Sequence, residues 1–266
     1  MDVDELVHRL DHPEDLAWLS EWGIAQPARA HDNLVRVAST SMTLDLLADA
    51  CNQLAEHLPN CSDPDMALNN LERFIAASRN PLSLGSLFER DREALPTLIR
   101  IFSVSQYFGD LLISDAGAYE LLRLTQGQAV SRESLIQELV TEITALSTLA
   151  GVSAALRRFK RRETLRIGYG DVIREQRLEM VIAQISHLAD ALVESALRAV
   201  RLELEQQHGV PETPDGKPAR YAVLALGKLG GSELNYSSDI DLIFLYDGEG
   251  TLSKNPRMTN GEYFAK

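Results

Sequence analysis

The sequence predicts an α+β fold, in which a mainly α-helical N-terminal region over residues 1–218 is followed by the beginning of a second, mixed domain over residues 219–266. Three observations support this. Nearly every segment between residues 6 and 208 repeats its apolar residues at intervals of three and four, the period of a helix with one buried stripe. The glycine- and proline-rich stretch QQHGVPETPDGKPARY then interrupts the pattern. Two short apolar runs enriched in β-formers follow, over residues 221–226 and 240–246, and predict two buried strands.

Residues that start and stop helices divide the helical region into segments. Proline occurs in or just after several of the segments, and Ser131 is expected to cap the helix that it precedes. The clearest predicted helices cover residues 13–22, 43–58, 65–77, 95–112, 131–149 and 178–207. Helices of this number and length predict a bundle or an irregular helical array.

Composition and charge exclude several classes of function. A hydrophobic content of 45% is that of a globular protein with a sizeable core. The formal net charge of −13 and the pI near 4.9 disfavour nucleic acid and acidic membranes as partners. The N-terminus is acidic, and no window reaches the roughly 18 uninterrupted apolar residues of a spanning helix. We therefore expect a cytoplasmic protein.

The two cysteines, Cys51 and Cys61, have no histidine or cysteine neighbours at the spacing of a metal site. Two ordinary thiols in a reducing compartment are favoured over a disulfide bond.

The chemistry is concentrated in one stretch, LALGKLGGSELNYSSDIDLIFLYD, residues 224–247. Residues two apart in a strand point to the same face, so Asp239 and Asp241 are predicted to present their carboxylates side by side while Ile240 turns into the core. Two anions within about 7 Å disfavour each other's ionisation unless a cation lies between them. A hard cation such as Mg²⁺ bridges carboxylates and substrate phosphates in this way.

A glycine turn, Gly227-Lys228-Leu229-Gly230-Gly231, precedes the two aspartates. Glycines let a backbone approach phosphate closely, and a lysine supplies charge. Each part has an ordinary explanation when taken alone, since an Asp-x-Asp at a strand entrance is commonly a solvated turn or cap and glycines commonly serve a tight turn. Their combination favours a metal and nucleotide site. Neither a P-loop motif nor a dinucleotide-binding motif occurs in the sequence.

These residues carry a family resemblance. GKLGGSELNYSSDIDLIFLYD resembles the active-site signature of the glutamine synthetase adenylyltransferase family, whose enzymes add AMP to glutamine synthetase and remove it, within the polymerase-β-like nucleotidyltransferase superfamily. Three upstream stretches, LPTLIRIFSVSQYFGDLLI, LRRFKRRETLRIGYGDV and QISHLADALVESAL, are also similar to family segments. The resemblance covers about residues 95–266, and residues 1–94 match only by position.

The resemblance implies a set of site residues and ligands. Asp239 and Asp241 would be the catalytic carboxylates and would hold Mg²⁺ or Mn²⁺, with ATP or ADP and phosphate as substrates. The nucleotide phosphates would be held by Gly227, Lys228, Gly230, Gly231 and Ser232, and Ser238 would either donate a hydrogen bond to them or cap the turn. Lys228 stands where the superfamily usually has glycine or serine, so the resemblance leaves open which glycines touch phosphate.

The resemblance also implies partners and two possible directions of reaction. Glutamine synthetase would be the substrate and the PII signalling protein a partner. The position of the motif after one helical region that begins at Met1 favours the deadenylylating half, in which inorganic phosphate attacks the AMP-tyrosine bond and gives ADP. The alternative is the adenylylating half, which transfers AMP from ATP to tyrosine. The superfamily uses a third carboxylate from a later strand, so we expect an incomplete catalytic domain with little activity alone.

Two alternatives of other kinds stay open. The chain could be a non-catalytic helical module that docks glutamine synthetase or a signalling partner, or a nucleotidyltransferase for RNA or a small molecule, which the acidic balance disfavours. A basic run with an apolar underside could contact phosphate or a partner, although a solvated face paired with acids is the favoured interpretation. The run consists of Arg157, Arg158, Lys160, Arg161, Arg162 and Arg166.

Overall fold

The computed structural model describes all 266 residues and confirms the α+β fold class, with many helices and a few short strands. The helices are α1 (Val3–Asp11), α2 (Ala17–Glu21), α3 (Pro27–Ala38), α4 (Leu44–His57), α5 (Pro64–Ala77), α6 (Pro81–Arg90), α7 (Ala94–Val104), α8 (Gln106–Ser114), α9 (Ala118–Thr125), α10 (Arg132–Thr144), α11 (Leu149–Val172), α12 (Leu178–His208), α13 (Gly227–Gly230) and α14 (Asn260–Phe264). The strands are β1 (Pro211–Glu212), β2 (Tyr221–Leu226), β3 (Asp241–Tyr246) and β4 (Thr251–Leu252).

The helix predicted over residues 95–112 is two helices, α7 and α8. Ser105 separates them because its backbone is extended and its side chain accepts a hydrogen bond from the Phe108 N–H, as an N-cap does. The apolar period continues across the break, which is why periodicity alone did not show it.

Two other predicted helices are shorter in the structure. The segment predicted over residues 13–22 is helical only in α2, and the segment predicted over residues 131–149 ends with α10 at Thr144. The predicted cap of α10 is confirmed, since the Ser131 side chain accepts a hydrogen bond from the Ser134 N–H. The first segment therefore differs from the prediction mainly at its start and the second at its end.

The chain forms two compact units. Unit 1 comprises residues 1–128 and 168–175, and unit 2 comprises residues 129–167 and 176–266. The domain boundary predicted at residues 218 and 219 lies inside unit 2 and stays a prediction.

Unit 1 is an array of short helices around α5, which packs against α3, α7 and α8. Phe74 on α5 makes edge-to-face ring contacts with Phe102 and Tyr119. Cys51 is buried and Cys61 is partly buried, and both are free thiols as predicted.

Unit 2 is built on α10 and α12, which pack along each other. Its core contains Leu135 and Leu139 from α10, Phe159 from α11, and Ile185 and Leu188 from α12. By length and composition α12 could also cross a membrane, because few charges fall in its most apolar window. That window contains no uninterrupted apolar run, and 44% of it is buried. A core helix meets the same criterion.

Unit 2 also contains two small antiparallel sheets, β1 with β4 and β2 with β3. In the larger sheet Leu226 pairs with Asp241 and Leu224 pairs with Ile243. Ala225 and Leu242, which point to the opposite face, pack against the helical core.

The prediction that both strands are buried is wrong in this structure. Leu224 is 48% exposed, Ile243 is 41% exposed and Leu245 is 48% exposed. One face of the two-stranded sheet has no layer over it, and helices cover only the Ala225 and Leu242 end of the other face, where Phe244 is 59% exposed.

Candidate active site

The glycine turn connects β2 to the loop that carries the acids. It forms the short helix α13, and Gly227 at its start has a φ of 56°, a left-handed conformation that favours glycine. A Cβ atom on Gly230 would lie 2.5 Å from the Ala225 carbonyl oxygen, so this position also requires glycine. Both glycines are therefore required by the backbone of the turn itself. This agrees with the interpretation that they serve a tight turn.

The Asp241 carboxylate lies beside this turn. Asp241 begins β3 opposite Leu226, the residue before Gly227. A Cβ atom on Gly227 would lie 3.6 Å from Asp241 Oδ2. The structure therefore brings together the glycine turn and the second aspartate, as the sequence predicted.

Asp239 lies in the loop before β3 rather than in the strand, and its side chain is exposed like that of Asp241. The prediction that Ile240 turns into the core is wrong, because Ile240 is 38% exposed. The cause is that regular strand geometry begins only at Asp241, so the alternation assumed for residues 239–241 does not apply.

Two leucines hold the turn and the loop against the helices. Leu229 in the turn and Leu234 in the following loop are each 5% exposed and belong to the core of unit 2. The Leu234 N–H also donates a hydrogen bond of 3.1 Å to the Ser186 hydroxyl on α12. The site is thus a surface loop in which Leu229 and Leu234 are buried and the acidic residues face solvent.

The other predicted phosphate contacts have partners of their own within this segment. The N–H of Gly231 donates to the Gly227 carbonyl and the N–H of Ser232 to the Leu229 carbonyl, so phosphate binding by these amides would require them to exchange partners. Lys228 is exposed at the turn. Phosphate binding by these residues stays a prediction.

Ser238 stabilises its own turn in this structure. Its hydroxyl donates to Asn235 Oδ1 at 2.7 Å, while the Asn235 N–H is 3.4 Å from the same hydroxyl oxygen. This arrangement matches the second interpretation of Ser238, a turn cap.

The donor set suits a hard divalent cation. Asp239 and Asp241 offer two exposed carboxylates, and no group of three or more His, Cys, Asp or Glu side chains is placed to share one metal ion. Mg²⁺ is commonly bound by one or two carboxylates, with water and substrate phosphates as its remaining ligands. The Asp241 carboxylate beside the turn, with the exposed Asp239 two residues earlier, fits that pattern.

Comparison with known proteins identifies the family. The family model of glutamate-ammonia ligase adenylyltransferase matches residues 95–266. The chain belongs to this family. The match begins at α7 and includes the glycine turn and both aspartates.

Several curated relatives named bifunctional glutamine synthetase adenylyltransferase/adenylyl-removing enzyme are similar to the chain. The relative from Thioalkalivibrio sulfidiphilus is 32% identical over 173 residues, which is 64% of this chain and 18% of the relative. The relative from Nitrosococcus oceani is 33% identical over 207 residues, 74% of this chain and 20% of the relative. The relative from Bordetella pertussis is 39% identical over 112 residues, 42% of this chain and 12% of the relative. The chain spans about a fifth of the length of the first of these relatives.

The basic run on α11 is partly paired with acids. Arg158 bonds Glu142 at 2.9 Å and Arg162 bonds Glu138 at 2.6 Å, both on α10. Arg166 is buried and bonds Glu163 at 2.6 Å. These pairs support the favoured interpretation of a face paired with acids, and they join α11 to α10 within unit 2.

Sequence analysis missed Ser186, which holds the acidic loop from the helical core. Ser186 is 1% exposed and lies on α12, where its hydroxyl accepts the Leu234 N–H. The sequence signal that could have found Ser186 is its position next to Ile185, where a small polar residue interrupts the apolar stripe of α12. Its partner is 48 residues away along the chain, so only the structure shows it.

Proposed function

We propose that the chain carries the metal- and nucleotide-binding part of a nucleotidyltransferase that acts on glutamine synthetase. The observation that supports this most directly is the Asp241 carboxylate beside the Gly227 turn, with Asp239 exposed two residues earlier. Membership of the glutamate-ammonia ligase adenylyltransferase family supports the type of chemistry.

Asp239 and Asp241 would hold Mg²⁺ or Mn²⁺, and Lys228 would contact the nucleotide phosphates together with the turn of Gly227, Gly230, Gly231 and Ser232. The metal, when bound, neutralises charge on the transferred phosphoryl group. The residues of this chain orient the phosphates against the carboxylates. The buried Leu229 and Leu234 fix both segments on the helical core.

The favoured direction is removal of AMP. Inorganic phosphate would attack the phosphorus atom of the AMP-tyrosine bond, the tyrosine oxygen would leave and take up a proton, and the products would be ADP and unmodified glutamine synthetase. Transfer of AMP from ATP to tyrosine is the alternative, because the relatives are named for both activities. The PII signalling protein is a proposed further partner, and the cytoplasm is the proposed location.

The metal site is tested by titrating the 266-residue chain with Mn²⁺ in the presence of ADP and following free Mn²⁺ by electron paramagnetic resonance. Asp239→Asn should weaken Mn²⁺ binding by about tenfold or more, since it removes one of two charged ligands. Asp32→Asn, the same change at an exposed position of α3, is the matched control and should bind like the wild type. Equal affinity in a folded Asp239→Asn variant contradicts the assignment.

The direction is tested with glutamine synthetase in its two forms, at a concentration of the chain high enough to detect the little activity expected of it alone. Adenylylated enzyme and phosphate should yield ADP, whereas unmodified enzyme and ATP should yield no AMP-tyrosine. The reverse result would favour the adenylylating half. Capture of glutamine synthetase by a chain that binds no Mn²⁺–ADP would favour the docking module.

A further inference from the structure

We infer that Ser186 on α12 is a positioning residue for the metal site, acting through the backbone of the acidic loop. Its hydroxyl accepts the Leu234 N–H at 3.1 Å, and Leu234 lies five residues before Asp239. This inference rests on the proposed function, because it assigns Ser186 a role in placing a proposed metal ligand.

The hydrogen bonds of Ser186 are fully assigned. The hydroxyl has one proton, which it donates to the Ile182 carbonyl at 2.9 Å along the helix. Its lone pair is therefore free to accept the Leu234 N–H. With Ser186 at 1% exposure and Leu234 at 5%, water has little access to replace this bond.

The rest of the loop is bonded mainly to itself or to the turn. The Ser232 N–H donates to Leu229 and the Glu233 N–H donates to Lys228, both within the glycine turn. Asn235 and Ser238 bond each other. The bond to Ser186 therefore ties this loop to the helical core three residues after the glycine turn and seven residues before Asp241.

Loss of the hydroxyl would leave a buried N–H without a partner. The loop can then recover that hydrogen bond only by moving Leu234 toward water, which displaces Asp239 relative to Asp241. A cation held by two carboxylates is sensitive to such a displacement, because ligand placement within about 0.5 Å determines binding. We therefore expect the effect on metal affinity to exceed the effect on global stability.

The chain offers a matched control on the same helix. Ser195 is 0% exposed, and its hydroxyl has no hydrogen-bond partner. Ser195→Ala deletes the same atom from α12 without breaking the bond to the loop. Ser186→Thr retains the hydroxyl, and Ser186→Cys replaces it with a weaker acceptor of similar size.

The experiment measures Mn²⁺–ADP affinity and amide hydrogen exchange of residues 232–240 in the 266-residue chain. Ser186→Ala should weaken Mn²⁺ binding by about fivefold and expose the Leu234 amide to exchange, which corresponds to the loss of one hydrogen bond. Ser195→Ala should change neither quantity, and Ser186→Thr should restore both. If Ser186→Ala is not folded, Ser186→Cys takes its place with a smaller expected loss.

Two failures are distinguishable. If the wild-type chain binds Mn²⁺–ADP and the folded Ser186→Ala variant binds it as tightly as Ser195→Ala does, the positioning role is overturned while the proposed function stands. If the wild-type chain does not bind Mn²⁺–ADP at all, the proposed function fails, and the inference fails with it.

Discussion

The helical core of unit 2 and the β2–β3 sheet beside it both contribute apolar side chains but differ in enclosure, although the strands are the more apolar in sequence. Leu139 on α10 is 0% exposed, whereas Leu245 on β3 is 48% exposed. Each core helix buries an apolar stripe against its neighbours, while the outer face of the sheet has no layer over it. Apolar composition therefore predicts that a segment is a strand or a helix, but enclosure depends on the number of layers that pack around it.

The same difference locates the candidate site. Its two aspartates lie on the segment that is open to solvent, and the residues that hold that segment in place, Leu229, Leu234 and Ser186, lie in the enclosed core. Exposed carboxylates can exchange water for a cation and a phosphate, which enclosed carboxylates could do only after a conformational change. Three predictions test this contrast between enclosed and open regions, beginning with the largest expected effect.

The largest effect should come from breaking the buried pair of Arg166 and Glu163. Arg166→Met removes the buried guanidinium that bonds both Glu163 and Gln184 and leaves only the half-exposed Arg162 beside the carboxylate, so the free energy of unfolding should fall by about 3–5 kcal/mol. Arg158→Met breaks the exposed pair with Glu142 and should cost less than about 1 kcal/mol. Urea unfolding followed by far-UV circular dichroism measures both. Similar losses in the two variants would show that the Glu163 site is open to water.

The next prediction compares the same leucine-to-alanine substitution in the helical core and in the sheet. Leu139→Ala should lower the free energy of unfolding by about 2–5 kcal/mol, because it leaves a cavity between helices. Leu245→Ala should change it by less than about 1 kcal/mol, since the side chain is already half in water. Urea midpoints of the two variants provide the measurement. A large loss for Leu245→Ala would mean that the outer face of the sheet is covered in solution.

The smallest effect concerns the thiols of unit 1. Burial raises the pKa of the Cys51 thiol from 9.0 to about 12, and partial burial also raises the pKa of the Cys61 thiol. At pH 8 both are protonated, and Cys61 should react with a thiol reagent at least about tenfold faster because it is more accessible. Mass spectrometry after timed labelling checks the ratio, with Cys61→Ser as the variant that isolates Cys51. Rapid labelling of Cys51 would indicate that the core of unit 1 opens readily.

The same pKa shift has a consequence for stability. The folded-state pKa of Cys51 is raised. Below pH 9 the thiol is protonated in both the folded and the unfolded state, so its contribution to the free energy of unfolding does not change with pH. As the pH rises from 9.0 toward about 12, only the unfolded chain loses the proton, so stability falls. In Cys51→Ala the free energy of unfolding should fall less as the pH rises from 9.0 toward about 12. At neutral pH this variant should unfold more readily than the wild type.

Much of the local structure could be predicted from the sequence. The Ser131 cap, the start of α4 after Thr43 and strand β2 follow from residue type and period. The break at Ser105 and the end of α10 at Thr144 did not, because apolar residues continue past both. Asp239 and Asp241 could be selected because the two acids follow a glycine turn and open an apolar run, whereas their local geometry depended on where β3 begins.

The sequence by itself determined the helical character of residues 6–208, the two strands, the glycine turn and the choice of the two aspartates. These features depend on neighbours along the chain, through period, capping and turn chemistry. Only the tertiary structure decided that one face of the sheet is open, that Leu226 pairs with Asp241, and that Ser186 bonds the loop from the helical core. The reason is that each of these contacts joins residues distant in sequence, and their energies depend on packing between elements rather than on local preference.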